Sequence, residues 1–346
     1  MKFLNYILLF GIIFIGFSCV KDKPDDPIKP QVTLSNGHKT YITNEGKFGG
    51  NTASVSLYDL GNGQIIDDIY KIQNNNAVLG DVCQSMIKAN NNFYLVVNNS
   101  GKIVVVGADD FKLKATITGF TSPRFILPVT FQKAYVSDLY SNSISIIDLN
   151  TNTKTGTIAC GGWTEQMTLI YNKAFITNQK RNYTYIVNTV NDQIMDSVNV
   201  GIYSGSILID KNSKIWVLSS GDKSNSILGK LSRINPVNLQ TEATFTFATN
   251  DVPSNLCINA GKDTLYFLNS HVYRMEISSA SLPTSAFISG AGNKFYGLGV
   301  NDKDFTIYLS DAIDYIQKST IMVYQANGQQ KTTFKAGINA SGFYFE

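Results

Sequence analysis

A short pattern of hydrophobic and polar positions recurs along the chain at intervals of roughly forty residues. Each copy has an aromatic residue or leucine, then two strand-forming residues, and then Asn, Asp or Ser. The copies are YITN (41–44), LVVN (95–98), YVSD (135–138), FITN (175–178), WVLS (216–219), YFLN (266–269) and YLSD (308–311). Self-similarity at this period indicates a repeat architecture that is built from one supersecondary unit.

The sequence around each copy predicts further strands. A turn and a second apolar run follow, as in SISIIDL (143–149) and YTYIVNT (183–189), where apolar and polar residues alternate. Alternation with a period of two marks strands that have one buried face. A third run such as TGTIACG (155–161) closes most units, and a short strand such as FILPV or MTLI precedes most copies of the motif. Four short strands per repeat are typical of a β-propeller blade.

The two ends of the repeat region predict how the ring closes. The first unit starts at Gly37 without a leading strand, and the chain finishes with INASGFYFE (338–346), which has no partner in its own unit. If this last segment supplies the innermost strand of the first blade, closure shields the sheet edges. The sequence therefore predicts an all-β fold over residues 36–346, a seven-bladed β-propeller closed by a C-terminal strand.

The N-terminal residues 1–18 predict a lipoprotein signal peptide. The apolar run is only about 15 residues long, which is short for a membrane span and typical of a signal-peptide core. It ends in IGFSC, which resembles a bacterial lipoprotein box in which Cys19 is lipidated, although Gly16 stands where leucine is usual. An ordinary cleaved signal with an incidental cysteine is the alternative. Residues 19–35 are predicted to be the lipidated cysteine and a flexible, proline-rich tether.

Composition and motifs narrow the class of function. The formal net charge is +3 and the basic residues are scattered, so no nucleic-acid partner is expected. Cys83, Cys160 and Cys257 lie at no metal-ligand spacing, and we expect buried thiols. The chain has two histidines, His38 and His271, and carries no G-x-S-x-G, P-loop or H-E-x-x-H motif. We therefore expect no enzyme, no metal and no cofactor.

Candidate ligand-binding residues lie in two sets of loops that open on one face of a propeller, around the mouth of its channel. The loops that lead into the innermost strands contain Gln84, Arg124, Trp163, Glu165, Gln166, Tyr203, Asn255 and Tyr296. The loops after the second strands add an outer wall with Phe48, Tyr140, Arg181, Tyr183 and Tyr315, and we also place Glu45 there. Aromatic planes with amide and hydroxyl groups suit a large, flat, amide-decorated ligand or a sugar chain. The few charges, of both signs, argue against a strongly anionic ligand at this mouth.

Two of these candidates have a competing structural interpretation. Arg124 could hold blades together through carboxylate or carbonyl contacts. Trp163 follows Gly161 and Gly162, so its ring could pack over a junction between blades instead of contacting a ligand.

The runs TNEG and SVSLYDL, and the blade openings LGDVCQSM, SPRF and TEQM, resemble the YncE-like propellers of Bacteroidota surface lipoproteins over residues 36–346. Some members of that group are similar to the cobalamin-capturing BtuG propellers. The resemblance implies a protein that is lipid-anchored in the outer membrane, faces the cell exterior and contacts the membrane through its lipid alone. It further implies that cobalamin or another corrinoid is bound as a ligand and delivered to a TonB-dependent outer-membrane transporter.

The alternatives are a protein–protein or adhesion scaffold and a glycan-binding propeller of a polysaccharide-uptake system. More distant is an enzyme related to lactonases or quinoproteins.

Overall fold

The computed structural model describes residues 38–346, which form seven antiparallel sheets arranged as the blades of a β-propeller. The predicted fold class is therefore confirmed. The predicted signal peptide (1–18), lipidated Cys19 and tether (19–35) lie outside the described residues. Within the described range, no helix has the length and apolar character needed to cross a bilayer.

The strands of each blade are given from the channel outwards. The first blade has β27 (Ala340–Phe345), β1 (Lys39–Asn44), β2 (Ser54–Asp59) and β3 (Ile65–Ile66), and the short helix α1 (Ile69–Gln73) leads to the second blade. The second has β4 (Cys83–Ala89), β5 (Asn92–Val97), β6 (Lys102–Gly107) and β7 (Leu113–Ile117). The third has β8 (Pro123–Pro128), β9 (Lys133–Asp138), β10 (Ser143–Asp148) and β11 (Thr153–Ala159). The fourth has β12 (Thr164–Ile170), β13 (Lys173–Asn178), β14 (Tyr183–Asn188) and β15 (Gln193–Asn199).

The remaining blades follow the same order. The fifth has β16 (Ser204–Ile209), β17 (Ile215–Ser219), β18 (Lys230–Ile234) and β19 (Thr241–Thr246). The sixth has β20 (Ser254–Ile258), β21 (Thr264–Asn269) and β22 (His271–Glu276). The seventh has β23 (Phe295–Val300), β24 (Ile307–Asp311), β25 (Lys318–Tyr324) and β26 (Gln330–Ile338).

The sixth blade departs from the predicted four strands, because its sheet has three. The segment after β22 is rich in serine, contains Pro283, and lacks alternation of apolar and polar residues. Proline removes a ladder donor, and without alternation no face of a strand is specified. A single antiparallel bridge between Val272 and Ile288 takes the place of the outer strand.

Closure of the ring agrees with the expectation from the sequence. Strand β27 pairs antiparallel with β1, with Ile42 opposite Phe343 and Thr40 opposite Phe345. The backbones of Lys39 and Glu346 also exchange hydrogen bonds, at 3.3 and 2.9 Å. The innermost strand of the first blade therefore comes from the other end of the propeller region.

The polar residue that ends the repeated motif fixes the turn after the second strand. In the third blade, Asp138 Oδ1 accepts the N–H groups of Tyr140 and Ser141 at 3.0 and 2.9 Å. In the fourth blade, Asn178 Oδ1 accepts those of Lys180 and Arg181 at 2.9 and 2.7 Å. A short side chain that satisfies two backbone donors favours a tight turn, which explains why Asn and Asp recur at this position.

Hydrophobic side chains between neighbouring blades form the core. One cluster joins Tyr94 and Val96 of the second blade to Ile126 and Val136 of the third. Each such apolar side chain contributes about 1.5–3 kcal/mol when it is fully buried. Because the blades are held to each other in this way, the loops on one face of the ring are fixed relative to one another.

Candidate ligand site at the channel mouth

A β-bulge interrupts the beginning of the innermost strand in every one of the seven blades. Along the innermost strands, the pairing register skips at Cys83/Ser85, Pro123/Ile126, Thr164/Met167, Ser204/Ser206, Ser254/Cys257, Phe295/Gly297 and Ala340/Gly342. The first skipped residues are Gln84, Arg124, Glu165, Gly205, Asn255, Tyr296 and Ser341. A bulge adds a residue and redirects a side chain. These seven positions, which we call the bulge ring, all line one cavity in the channel.

The channel cavity has a volume of about 450 Å³ and is lined by all seven blades. Besides the bulge ring, its polar lining includes Glu45, Gln166 and Gln179, and its apolar lining includes Phe125 and Leu298. Its size lies within the roughly 300–1,000 Å³ that is usual for small-molecule sites. The structure therefore brings together six predicted residues in this cavity: Gln84, Arg124, Glu165, Gln166, Asn255 and Tyr296.

Arg124 connects three blades inside this cavity. Its Nε donates to Glu165 Oε1 of the next blade at 2.8 Å, and its Nη1 donates to Gln84 Oε1 of the preceding blade. Its carbonyl accepts a hydrogen bond from Ser85 Oγ at 2.6 Å. Arg124 therefore connects neighbouring blades, as the competing structural interpretation expects. Its side chain also lines the cavity.

Glu45 lies in the channel cavity and not only in the outer wall, where the sequence analysis placed it. Its Oε2 accepts a hydrogen bond from Tyr296 Oη at 2.7 Å. The backbone explains this placement, because the Glu45 N–H donates to the Asn339 carbonyl at 3.0 Å and the Glu45 carbonyl accepts from Val82 at 3.1 Å. The first residue after β1 is thus held between two innermost strands, and the cavity contains two carboxylates instead of one.

The electrostatics of the cavity depend on two carboxylates that share one guanidinium. Burial raises the pKa of Glu165, the Arg124 charge opposes this shift, and the Glu45 charge adds to it. Burial also raises the pKa of Glu45, against hydrogen bonding from Tyr296 and the charge of Arg124. Burial and the neighbouring Glu45 raise the pKa of Tyr296, so its phenol donates a hydrogen bond. Protonation of these carboxyls is therefore linked to whatever occupies the cavity.

The fifth blade places no side chain in the bulge ring, because its position is Gly205. A Cβ at this residue would lie 2.8 Å from Gln179 Nε2, so the Gln179 side chain from the fourth blade lies beside the gap. Tyr203, which we expected at the mouth from this loop, does not line the cavity. It precedes β16 with a φ of 57° and is 37% exposed.

Trp163 lies beside a second cavity, between the third and fourth blades, and does not line the channel. It precedes β12 in the left-handed region, with a φ of 61°, as Val82 does before β4 with a φ of 62°. Its N–H donates to the Leu139 carbonyl at 2.7 Å, which anchors it to the third blade. Tyr140 and Arg181 line the same second cavity.

The other outer-wall candidates line neither cavity. Phe48 is 75% exposed, and Tyr315 is 48% exposed with its ring edge-on to Tyr296 at 5.8 Å. Tyr183 is half-buried and packs edge-on against Tyr185. Their contact with a ligand stays a prediction.

The described cysteines and potential metal ligands add little to this site. Burial raises the pKa of the Cys257 thiol to about 12, and its Sγ donates to the Leu298 carbonyl at 3.2 Å. Cys83 is buried. Among residues 38–346, no three His, Cys, Asp or Glu side chains group closely enough to hold a metal ion.

The fold and the bulge ring define a seven-bladed β-propeller with a polar cavity in its channel. The chain belongs to the family described as Domain of unknown function (DUF5074), whose family model matches residues 38–346. None of the curated proteins compared with the chain matches it.

Solved structures from several bacteria are similar in fold. A quinonprotein alcohol dehydrogenase-like protein from Bacteroides thetaiotaomicron is 14% identical with a TM-score of 0.70, and the alignment covers 89% of this chain and 77% of that one. A functionally unknown protein from Desulfotomaculum acetoxidans is 13% identical with a TM-score of 0.68, over 89% and 98% of the two chains. The periplasmic gluconolactonase PpgL of Pseudomonas aeruginosa is 10% identical with a TM-score of 0.66, over 88% and 99%. At these identities the similarity concerns the fold.

Proposed function

We propose that this protein captures a small organic ligand at the mouth of its channel. The observation that carries the proposal is the channel cavity of about 450 Å³, into which the bulge ring directs amide, hydroxyl and charged groups from six blades. At Gly205 the ring has no side chain of its own, and the flexible end of the Gln179 side chain lies beside this position. A rigid, largely pre-formed site of this kind binds without paying for loop ordering.

The ligand that we propose is cobalamin or another corrinoid, to be delivered to a TonB-dependent outer-membrane transporter. Support comes from the resemblance in sequence and from the chemistry of the cavity. Gln84, Gln166 and Asn255 offer side-chain amides that can pair with the amides of a corrinoid rim. A corrinoid exceeds this cavity in size, so it would lie across the mouth with one amide-bearing edge inside. The exposed rings of Tyr315 and Phe48 offer apolar surface on the same face.

We also propose that the protein binds its ligand without catalysing a reaction. The channel cavity is lined by no histidine. His271 Nδ1 accepts the Gly290 N–H at 2.8 Å, and His38 is exposed at the beginning of the described chain. Capture requires only a pre-formed site, and the buried carboxyl of Glu165 and the partly buried carboxyl of Glu45, held by Arg124 and Tyr296, suit hydrogen bonding to a polar ligand.

Calorimetric titration of the purified protein with cyanocobalamin tests the ligand. The expected result is one binding site at micromolar concentration or tighter, with the red colour co-eluting with the protein in gel filtration. Absence of heat and of co-elution at micromolar ligand would contradict the corrinoid proposal.

For location, we propose a lipid anchor on Cys19 in the outer membrane, with the propeller facing the cell exterior. The support is the signal-like apolar run and the IGFSC sequence. Substitution Cys19→Ala is expected to move the protein out of the membrane fraction, as followed by immunoblotting of fractionated cells. A protein that keeps its membrane association after this substitution would contradict the anchor.

A further inference from the structure

The second cavity is a separate pocket on the same face of the propeller, outside the channel. It has a volume of about 400 Å³ and is lined by Tyr140, Asn142, Gly161, Gly162, Trp163, Lys180 and Arg181. These residues come from the third and fourth blades and belong to the loops around β9, β12 and β13. No residue of this lining is shared with the channel cavity. We call it the aromatic–basic pocket.

Two aromatic rings form one side of the aromatic–basic pocket. The ring of Tyr140 is edge-on to that of Trp163, with centroids 5.5 Å apart and an interplanar angle of 86°. Tyr140 is 61% exposed, so a large part of its ring is open to solvent. An exposed aromatic surface of this kind, fixed by a second ring, is suited to packing against an apolar face of a ligand.

The charge of the pocket is positive, and no carboxylate in its lining neutralises it. Lys180 Nζ lies 5.1 Å from the centroid of the Trp163 ring. Within residues 38–346, neither Lys180 nor Arg181 forms a salt bridge, and both side chains are exposed. No acidic residue lines the pocket. The carboxylate of the adjoining turn, Asp138, is 1% exposed and is engaged by backbone N–H groups.

Two consecutive glycines keep the pocket open. Gly162 has a φ of 70°, and a Cβ there would lie 3.2 Å from the Ser141 carbonyl oxygen. A Cβ on Gly161 would lie 3.0 Å from Tyr185 Oη and 3.6 Å from the Arg181 guanidinium. A side chain at Gly161 would therefore press against the Arg181 guanidinium, and one at Gly162 would press against the turn after β9.

We propose that the aromatic–basic pocket binds an acidic sugar, that is, a pyranose that carries a carboxylate or a sulfate group. The C–H groups on one face of a sugar ring pack against the electron-rich face of an aromatic ring such as Tyr140. The acidic group pairs with the planar fork of Arg181 and with Lys180, and Asn142 bonds a hydroxyl group. An uncharged sugar leaves both cations without an anionic partner. This site is independent of the ligand in the channel.

Tryptophan fluorescence provides a direct readout, because the chain has two tryptophans and only one lines the pocket. Trp216 is fully buried and donates from Nε1 to Asp210 at 2.8 Å. Titrating the full chain with digalacturonate, and separately with a sulfated disaccharide, is expected to give a saturable change from Trp163. A response to one probe alone identifies the acidic group that is recognised, and either response supports the proposal. Excess cyanocobalamin is expected to leave the affinity for the acidic probe unchanged when that affinity is measured by calorimetry.

Matched variants and a neutral sugar distinguish this site from general charge attraction. Arg181→Gln is expected to weaken binding by at least about tenfold, because a charge-assisted contact is lost. Lys223→Gln removes an exposed cation on the corresponding loop of the fifth blade and is expected to leave the affinity unchanged. Maltose is expected to bind far more weakly than the acidic probes. The proposal is overturned if neither acidic probe saturates, if maltose binds equally well, or if Arg181→Gln binds like the unmodified protein.

Discussion

At the residue scale, the channel depends on Arg124, because the buried carboxyl of Glu165 and the partly buried carboxyl of Glu45 share its positive charge. Glu165 is 3% exposed and accepts a hydrogen bond from Arg124 Nε at 2.8 Å. The charge of Arg124 also opposes the rise in the pKa of Glu45. A buried ion pair contributes little net stability, but removing one partner strands the other charge in a poorly solvated position. Removal of Arg124 is therefore expected both to disturb the site and to lower the stability of the fold.

Substitution Arg124→Gln is expected to lower the free energy of unfolding by about 3–5 kcal/mol at pH 8. The loss is expected to be smaller at pH 5, because the stranded Glu165 carboxyl, whose pKa is already raised by burial, can then take up a proton. Urea unfolding at both pH values measures the difference.

The matched control is Lys211→Gln, which removes the half-exposed salt bridge to Asp263 at 3.2 Å. Its expected cost is only about 0–1 kcal/mol. An Arg124→Gln variant that loses no more than this control, or that loses the same amount at both pH values, would contradict the role of the shared guanidinium.

Substitution Glu45→Gln is expected to flatten the dependence of stability on pH. The pKa of Glu45 is raised in the folded state above its ordinary value of 4.5, so the folded protein binds this proton more tightly than the unfolded chain does. The resulting stabilisation is fully present below about pH 4.5 and is lost as the pH rises through the raised pKa. Thermal unfolding between pH 4.5 and 8 should show a smaller fall for the variant than for the unmodified protein. Equal slopes would show that Glu45 does not titrate as described.

At the element scale, the bulges at the beginning of the innermost strands determine which side chains face the axis. Repeats and strand alternation are visible in the sequence, so the blades and most mouth residues could be predicted. A bulge depends on how a strand pairs with its neighbour. The sequence therefore could not predict that Gly205, and not Tyr203, takes the position in the bulge ring. Likewise, Glu45 reaches the axis through backbone contacts to Asn339 and Val82, which are remote in sequence. The two glycines before Trp163 are visible in the sequence. The pocket beside Trp163 is completed by the turn at Tyr140 in the third blade, and no local pattern around Trp163 indicates that turn.

Filling the gap in the bulge ring is expected to abolish ligand capture while leaving the fold intact. In Gly205→Trp, the added Cβ meets the end of the flexible Gln179 side chain and the indole enters the channel cavity, so the expected loss of stability is about 1–3 kcal/mol. The indole occupies cavity volume, and cyanocobalamin affinity is expected to fall by at least about a hundredfold in calorimetry.

The size control for this experiment is Gly205→Ala, which adds one carbon and leaves most of the gap open. The cyanocobalamin affinity of this variant is expected to stay within about threefold of that of the unmodified protein. This corresponds to a difference in binding free energy below about 1 kcal/mol. If Gly205→Trp folds normally and binds cyanocobalamin unchanged, the ligand does not enter the channel cavity.

At the scale of the whole molecule, closure by β27 unites the seven blades into one ring. This strand pairs with β1 and also contributes Ser341 and Phe343 to the channel cavity. A chain that ends at Asn339 is expected to lose several kcal/mol of stability and to unfold at lower urea concentration, because the core residues Ile42 and Tyr308 then lose packing partners.

The control for truncation is Glu346→Gln, which keeps β27 whole and removes only the charge of a side chain that contacts Lys88 and accepts a hydrogen bond from Tyr41 Oη at 3.5 Å. It is expected to change the urea midpoint little. A truncated chain with the same midpoint as this control would contradict the contribution of ring closure to stability.

A crystal structure of the protein grown with cyanocobalamin tests ligand capture in the channel most directly. We expect the corrin ring across the mouth of the channel, with its amide side chains within hydrogen-bond distance of Gln84, Asn255 or Arg124. Ligand bound elsewhere on the propeller, or a channel cavity that holds only water at saturating cyanocobalamin, would contradict it.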